Sequence, residues 1–208
     1  MRKPGEKTAA EMCAALSGIR CFLLDMDGTF YLGDRIIEGS MEFLQKVEQT
    51  GRSYLFLTNN SSRSVQHYVE KLGRLGLHVG EDKILTSGQA AAQYLKREYP
   101  GKRVFLLGNP SLREEMEKHG IALEDEHPDL VLVGCDTTLD YAKMTRVCDL
   151  VREGLPYIAT HPDFNCPTES GFIPDIGAIM AFIEASTGRK ADVIIGKPCG
   201  EIVRAAQG

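Results

Sequence analysis

The sequence predicts an α/β fold in which a parallel β-sheet is covered by helices. Short apolar runs alternate with amphipathic helical patterns, as in CFLLD at 21–25, GSMEFLQKVEQTG at 39–51 and SYLFLTNN at 53–60. Such an alternation is typical of β-α-β units, whose strands run parallel. A second observation is that polar residues follow the apolar runs directly. They would lie at the edge of a parallel sheet where ligands bind.

The size and charge of the chain argue against some classes of function. It has 208 residues, 43% of them hydrophobic, and a formal net charge of -5. This length suits one domain, or one domain that carries an insertion. A nucleic-acid-binding protein usually shows a basic excess or stripe, and we find neither, so we expect no nucleic-acid partner. No apolar run approaches membrane-spanning length, and the N-terminal segment lacks the apolar centre of a signal peptide, so we expect a cytoplasmic protein without membrane association.

The strongest functional signal is Asp25-Met26-Asp27-Gly28-Thr29, which ends an apolar run. Carboxylates two residues apart on a continuing strand share a face, and Gly28 lets the backbone approach a ligand closely. Unpaired carboxylates this close repel each other, so a hard cation such as Mg²⁺ fits between or beside them. The alternative is a strand end with two solvated acids. The Gly-Thr that follows favours a catalytic site.

Two further motifs also follow apolar runs. Thr58-Asn59-Asn60 offers a hydroxyl and an amide that can donate hydrogen bonds to phosphoryl oxygens. Lys197 follows the run at 193–195, where its ammonium can screen a phosphoryl group and a carboxylate nucleophile. Each is weak alone, because Thr and Asn also begin loops or cap helices, and a lysine at a strand end is usually only solvated.

These motifs, in this order, resemble those of the haloacid dehalogenase (HAD) superfamily, and within it the NagD-type family, subclass IIA. That family contains nucleotide, phosphoglycolate and 4-nitrophenyl phosphate phosphatases. Its members open with a D-x-D-G-T strand and a stretch similar to FYLGDRIIEGS, followed by T-N-N, a large cap and G-K-P, and the segment 161–178 also looks like one of theirs. The resemblance implies a Rossmannoid three-layer parallel-sheet core with an inserted α/β cap. We expect an N-terminal extension at 1–18, the core at 19–82 and 180–208, and the cap at 83–179.

The resemblance also implies residue roles. Asp25 matches the nucleophile and a Mg²⁺ ligand, and Asp27 matches the general acid/base, whose backbone carbonyl also binds the metal. The residues expected to bind the phosphate are Gly28, Thr58, Asn59 and Lys197. The implied function is that of a Mg²⁺-dependent phosphohydrolase, which acts on a small phosphorylated metabolite through an aspartyl-phosphate intermediate.

One departure from the family pattern leaves alternatives open. The family has a fourth, acidic motif after G-K-P that completes its Mg²⁺ site, and this sequence ends at Gly208 before such a strand. We therefore expect a C-terminally truncated form with weakened metal binding. The alternatives are an inactive fragment and a non-catalytic phosphate-binding module such as a receiver domain. A receiver domain has no carboxylate two residues after its phosphate acceptor, which favours the enzyme. A homo-oligomer formed through the cap is also open.

The segment 161–177, which is rich in Pro, Gly and Asp and which we expect to be a loop, holds weaker candidates. His161-Pro162-Asp163 fits a turn better than a metal ligand or a catalytic triad. Asp175 suits a substrate contact and the N-cap of a helix equally well.

Overall fold

A computed structural model describes residues 8, 14–168 and 171–207. In this part of the chain the strands are β1 (Cys21–Asp25), β2 (Tyr31–Leu32), β3 (Arg35–Ile36), β4 (Ser53–Thr58), β5 (Ile84–Thr86), β6 (Arg103–Leu107), β7 (Ala122–Leu123), β8 (Leu130–Val133), β9 (Tyr157–Ala159), β10 (Asn165–Thr168), β11 (Gly171–Pro174) and β12 (Val193–Ile194). The helices are α1 (Ser40–Gln49), α2 (Val65–Arg74), α3 (Ser87–Glu98), α4 (Pro110–Lys118), α5 (Tyr141–Arg152), α6 (Ile176–Thr187) and α7 (Gly200–Ala205). The N-terminal extension expected at 1–18 falls mostly outside the described residues, although 14–17 are helical.

The first sheet has the order β1-β4-β5 and carries the first two motifs. Its strands are parallel, with Asp25 paired with Leu57 and Thr58 paired with Thr86. Helices α1 and α2 pack on it through a buried apolar cluster that includes Leu44, Val47, Phe56, Tyr68 and Leu72. Because the strands are parallel, Asp25 and Thr58 end at the same edge.

The second sheet has the order β12-β9-β8-β6-β7, and its strands are also parallel. Its central strand β8 is buried on both faces, as its unbroken apolar sequence indicates. Helices α3, α4 and α7 cover one face, and α5 and α6 cover the other. The predicted α/β fold with parallel sheets is confirmed.

Strand pairing differs from the expected domain division at two points. Strand β5 lies in the first sheet, although 83–179 was expected to form the cap. Strand β12 pairs with β9 in the second sheet, although 180–208 was expected to complete the core. Apolar runs of similar length fit either sheet, so the sequence does not specify the pairing partner. The domain boundaries stay a prediction, but Lys197 follows a strand of the second sheet.

Two hairpins border the edge where the motifs end, and neither was predicted. Strands β2 and β3 pair around a turn at Gly33, where φ is 57°. Strands β10 and β11 pair within 161–177, which was expected to be a loop. Pro167 and Pro174 argue against strands in the sequence, because proline is tolerated mainly on edge strands, and the hairpin was therefore not expected. Within the described ranges, no helix is both long and apolar enough to cross a bilayer.

Candidate active site

The ends of strands from both sheets meet at one small cavity. Asp25 ends β1, Thr58 ends β4, and Lys197 follows β12. The cavity has a volume of about 280 Å³, and its wall includes Asp25, Asp27, Thr58, Asn59, Asp163, Asp175 and Lys197. The structure therefore brings together five of the six predicted site residues, and it draws them from two different sheets.

Lys197 forms an ion pair with Asp25. Its Nζ donates a hydrogen bond to Asp25 Oδ1 and another to the carbonyl oxygen of Leu57, at 3.2 Å. The Thr29 hydroxyl donates to the other carboxylate oxygen, Asp25 Oδ2, at 3.4 Å. The Asp25 side chain is still 44% exposed. A carboxylate with a cation beside it is thus open to a ligand in the cavity.

Asp27 has a different environment. Lys71 of α2 places its Nζ 3.9 Å from Asp27 Oδ1 and 4.1 Å from the centroid of the Tyr31 ring. Partial burial raises the pKa of Asp27 above its usual value, and the positive charge of Lys71 opposes that rise without cancelling it. A carboxyl group with a raised pKa holds its proton closer to neutral pH, which suits a proton donor.

Gly28 lies apart from the other site residues. Its φ of 77° is in the left-handed region that glycine favours, and its N–H donates to the Tyr31 carbonyl oxygen at 2.8 Å. Gly28 lines a second cavity rather than the first. Its predicted contact with the phosphate stays a prediction.

The second cavity is larger, about 820 Å³, and has Asp27 and Pro167 in common with the first. The rest of its wall is Gly28, Leu32, Gly33, Asp34, Arg35, Lys71 and Thr168. The β2–β3 turn therefore forms one side of it and α2 another. Asp27 stands between a small polar cavity and a wider one.

The side chain of Asn59 is fully engaged by protein groups. Its Nδ2 donates to Asp163 Oδ2 at 2.8 Å and to the Lys197 carbonyl oxygen at 3.0 Å. Its Oδ1 accepts from the Lys197 N–H at 2.8 Å. Thr58, by contrast, presents a buried hydroxyl whose oxygen accepts from the Asn60 N–H at 3.1 Å.

The donor set at the site suits a hard cation. Among the residues that the structure describes, no three His, Cys, Asp or Glu side chains converge as a metal-binding group. The predicted donors, the Asp25 carboxylate and the Asp27 carbonyl, are oxygen atoms. Mg²⁺ is commonly held by one or two carboxylates, with water and substrate phosphate as the remaining ligands. These two residues therefore fit Mg²⁺, with a small share of its ligands coming from protein.

Asp175 proves to be both an N-cap and part of the cavity wall. Its Oδ1 accepts from the Ile176 N–H at 2.8 Å, at the start of α6. Its Oδ2 lies 3.2 Å from Nε2 of the buried His161. Burial opposes ionisation of Asp175, but His161 and the Ile176 N–H outweigh it and hold its pKa below the usual value.

Sequence reasoning missed Lys71 and the role of Asp163. Lys71 lies in an ordinary amphipathic helix, where a lysine usually marks only a solvated face. Asp163 lies in the segment between β9 and β10, and its partner Asn59 is 104 residues away. Neither contact has a signal in local sequence.

Comparisons with known proteins show the family of the chain. Residues 22–122 match the model of the haloacid dehalogenase-like hydrolase family. The acid sugar phosphatase of Staphylococcus aureus (strain MRSA252) is 34% identical over 180 residues, which cover 86% of this chain and 69% of that protein.

Two solved structures are similar over most of the chain. The 4-nitrophenylphosphatase from Thermotoga maritima is 47% identical, with a TM-score of 0.87 over 90% of this chain and 72% of that one. NagD from E. coli K-12 is 32% identical, with a TM-score of 0.82 over 90% of this chain and 73% of that one. The predicted resemblance is confirmed: the chain belongs to the haloacid dehalogenase-like hydrolases, as a phosphatase of their NagD-type subclass IIA.

Proposed function

We propose that the protein is a Mg²⁺-dependent phosphatase that cleaves a small phosphate monoester, with Asp25 as the nucleophile. The observation that supports this most is the ion pair between Lys197 and Asp25 at the small cavity. It joins an attacking carboxylate to a cation that can offset charge on a transferring phosphoryl group.

In the first step, an Asp25 carboxylate oxygen bonds to phosphorus, and the bond from phosphorus to the leaving oxygen breaks. Asp27 gives its proton to that oxygen, so the leaving group departs as an alcohol. The raised pKa of Asp27 supports this role, because the group keeps its proton at higher pH than an ordinary aspartic acid. Lys197 and the Thr58 hydroxyl stabilise the transferring group.

In the second step, water attacks phosphorus and gives a proton to Asp27, and the bond between phosphorus and Asp25 breaks. Inorganic phosphate leaves, and both carboxyl groups return to their starting states. The Asp25 carboxylate and the Asp27 carbonyl would hold Mg²⁺. When bound, the ion supplies positive charge that polarises the phosphoryl oxygens.

The larger cavity supports a small polar metabolite as the substrate. Asp27, the proposed proton donor to the leaving oxygen, lines both cavities. With the phosphoryl group in the small cavity, the leaving group would occupy the larger one. Its wall combines charged Asp34, Arg35 and Lys71 with apolar Leu32.

Asp25→Asn tests the proposal. The amide keeps the shape of the side chain but lacks the nucleophilic oxygen, so turnover of 4-nitrophenyl phosphate at saturating Mg²⁺ should be lost while the fold is retained. Asp149→Asn is the matched control, since Asp149 lies exposed on α5, far from the cavity in sequence, and pairs with Arg152. It should keep parental activity. Retention of about a tenth of the parental kcat in Asp25→Asn would rule out Asp25 as the nucleophile.

A further inference from the structure

One amide side chain joins the two sheets at the site. Asn59 follows β4 of the first sheet, whereas Asp163 and Lys197 follow β9 and β12 of the second. The Asn59 amide bonds to the Asp163 carboxylate and to both backbone polar groups of Lys197. We propose that Asn59 is a positioning residue that acts on phosphoryl transfer through Lys197, by clamping the Lys197 backbone so that the ammonium reaches Asp25. This inference rests on the proposed function of Lys197.

The clamp fixes the backbone in the way that a neighbouring strand would. Residues that exchange both N–H···O bonds across a ladder hold each other's peptide groups in place. The Asn59 amide gives Lys197 the same pair of bonds, at 2.8 and 3.0 Å. A lysine side chain is long and flexible, so its ammonium can be placed reliably only if its backbone is fixed. From that fixed point Lys197 Nζ reaches both Asp25 and the Leu57 carbonyl oxygen.

The preceding residue has to be glycine for the clamp to close. A Cβ on Gly196 would lie 2.6 Å from Asn59 Oδ1 and 2.7 Å from both the Thr160 carbonyl oxygen and the His161 Cβ. The Thr160 carbonyl belongs to the backbone, and the His161 Cβ is the first atom of a buried side chain, so neither can move aside easily. The close approach of this strand end to Asn59 is therefore possible because Gly196 has no side chain.

Asp163 fixes the orientation of the amide. An ionised carboxylate only accepts hydrogen bonds and a backbone N–H only donates them, so Asn59 Nδ2 must face Asp163 and Oδ1 must face the Lys197 N–H. Asp163 is itself held by the start of α6, where the Gly177 N–H donates to the Asp163 carbonyl oxygen at 2.7 Å. With both amide hydrogens engaged, the Asn59 side chain has none left for a phosphate.

A double-mutant cycle separates positioning from direct contact with phosphate. We expect Asn59→Ala to lower kcat/KM for 4-nitrophenyl phosphate by about 10²-fold, as a displaced catalytic group does. In a Lys197→Ala background, Asn59→Ala should cost nothing further, because the group through which it acts is gone. An equal loss in both backgrounds would overturn the inference, since Asn59 would then act independently of Lys197.

A second measurement does not depend on turnover. The NMR signal of the Lys197 ε-methylene, identified by its loss in Lys197→Met, should move in Asn59→Ala toward the signals of exposed lysines such as Lys190. Asn60→Ala is the matched control, because the Asn60 amide oxygen accepts from the Ser62 N–H and hydroxyl and not from Lys197, and it should leave the signal in place. An unmoved Lys197 signal in Asn59→Ala would contradict the clamp. If the parent hydrolysed no phosphate ester, the proposed function would fail. The NMR measurement would still show whether Asn59 positions Lys197.

If Asn59→Ala does not fold, exchanging the residues at 59 and 163 tests the clamp instead. Asn59→Asp places two carboxylates where the 2.8 Å hydrogen bond lies and should displace the Lys197 signal. Adding Asp163→Asn restores a donor and an acceptor with their roles reversed, and should return the signal part of the way. No return would overturn the inference.

Discussion

Asp27 and Lys71 control the proton chemistry that we propose for this site. Partial burial raises the pKa of Asp27, and the Lys71 ammonium, 3.9 Å from its Oδ1, pulls it in the opposite direction. Asp27 is the acid of the proposed first step, so we expect kcat/KM to fall as the pH rises through this pKa. On this proposal, the balance between burial and the Lys71 charge sets the upper pH limit of activity.

Lys71→Met tests that balance. Removing the cation makes ionisation of Asp27 less favourable, so its pKa should rise and the alkaline limb of kcat/KM should move to higher pH. The measurement is a pH profile with an alkyl phosphate, whose leaving oxygen needs a proton. Lys190→Met is the control, since Lys190 is exposed and pairs with Glu184 on the surface. An alkaline limb that stays in place or moves to lower pH would contradict this role of Lys71.

The individual site residues could be predicted where they follow strands. Asp25, Thr58 and Lys197 each end or follow an apolar run, and parallel strands bring such ends to one edge. Lys71 and Asp163 could not be predicted, because their contacts depend on how a helix and a turn pack against residues distant in the chain. The engagement of Asn59 by Lys197 likewise appears only in three dimensions.

Helix α6 is fixed at its first turn by Asp175. The carboxylate caps the helix through the Ile176 N–H and contacts the buried His161. Asp175→Ala should lower the free energy of unfolding by about 1–3 kcal/mol, because it removes a cap and leaves His161 without its partner. Denaturant unfolding at neutral pH measures this, and Asp149→Ala on the surface of α5 should stay within about 0.5 kcal/mol of the parent.

The same variant has an expected pH dependence. The pKa of Asp175 is lowered in the folded state, so its contribution to stability is present above the unfolded pKa and is lost as the pH falls through the folded pKa. The stability difference between the parent and Asp175→Ala should therefore shrink in acid. A difference that does not shrink as the pH falls below the unfolded pKa would contradict the lowered pKa of Asp175.

Elements were predicted well where their pattern is periodic and poorly where prolines interrupt it. The long helices and the apolar strands correspond to their sequence patterns, whereas the β10–β11 hairpin was expected to be a loop. Helix α2 is capped by Ser64, whose side chain accepts from the His67 N–H, and not by Ser61. Ser61 instead lies buried, where its Oγ is 3.2 Å from Thr160 Oγ1 and accepts from the Cys135 N–H. Such a contact between sheets leaves no local pattern.

The two sheets have one hydrophobic cluster in common. Leu57 and Leu85 of the first sheet belong to the same buried cluster as Leu106, Leu132 and Ile158 of the second. We therefore expect both sheets to unfold together. Hydrogen exchange at low denaturant should give the amides of β4 and β8 the same free energy of opening. A first sheet that opens well before the second would show that they are independent units.

For the whole molecule, the sequence predicted the fold class and the family but not which sheet each strand joins. The position of β12 beside β9 depends on hydrogen bonds between segments far apart in the chain. As a consequence, the proposed nucleophile and its cation belong to different sheets. The proposed catalytic geometry thus depends on how the whole molecule holds these sheets together.

The central claim is that Asp25 carries the phosphoryl group, and trapping that intermediate tests it most directly. Asp27→Asn should slow turnover on the order of 10²–10⁴-fold, and its phosphoenzyme should persist because the water that cleaves it has no base. The variant is mixed with a ³²P-labelled phosphate ester, quenched in acid and digested. We predict label on the peptide that contains Asp25, and none when Asp25→Asn is added. Label on another residue, or continued turnover of Asp27→Asn with no labelled peptide at any time, would contradict the account.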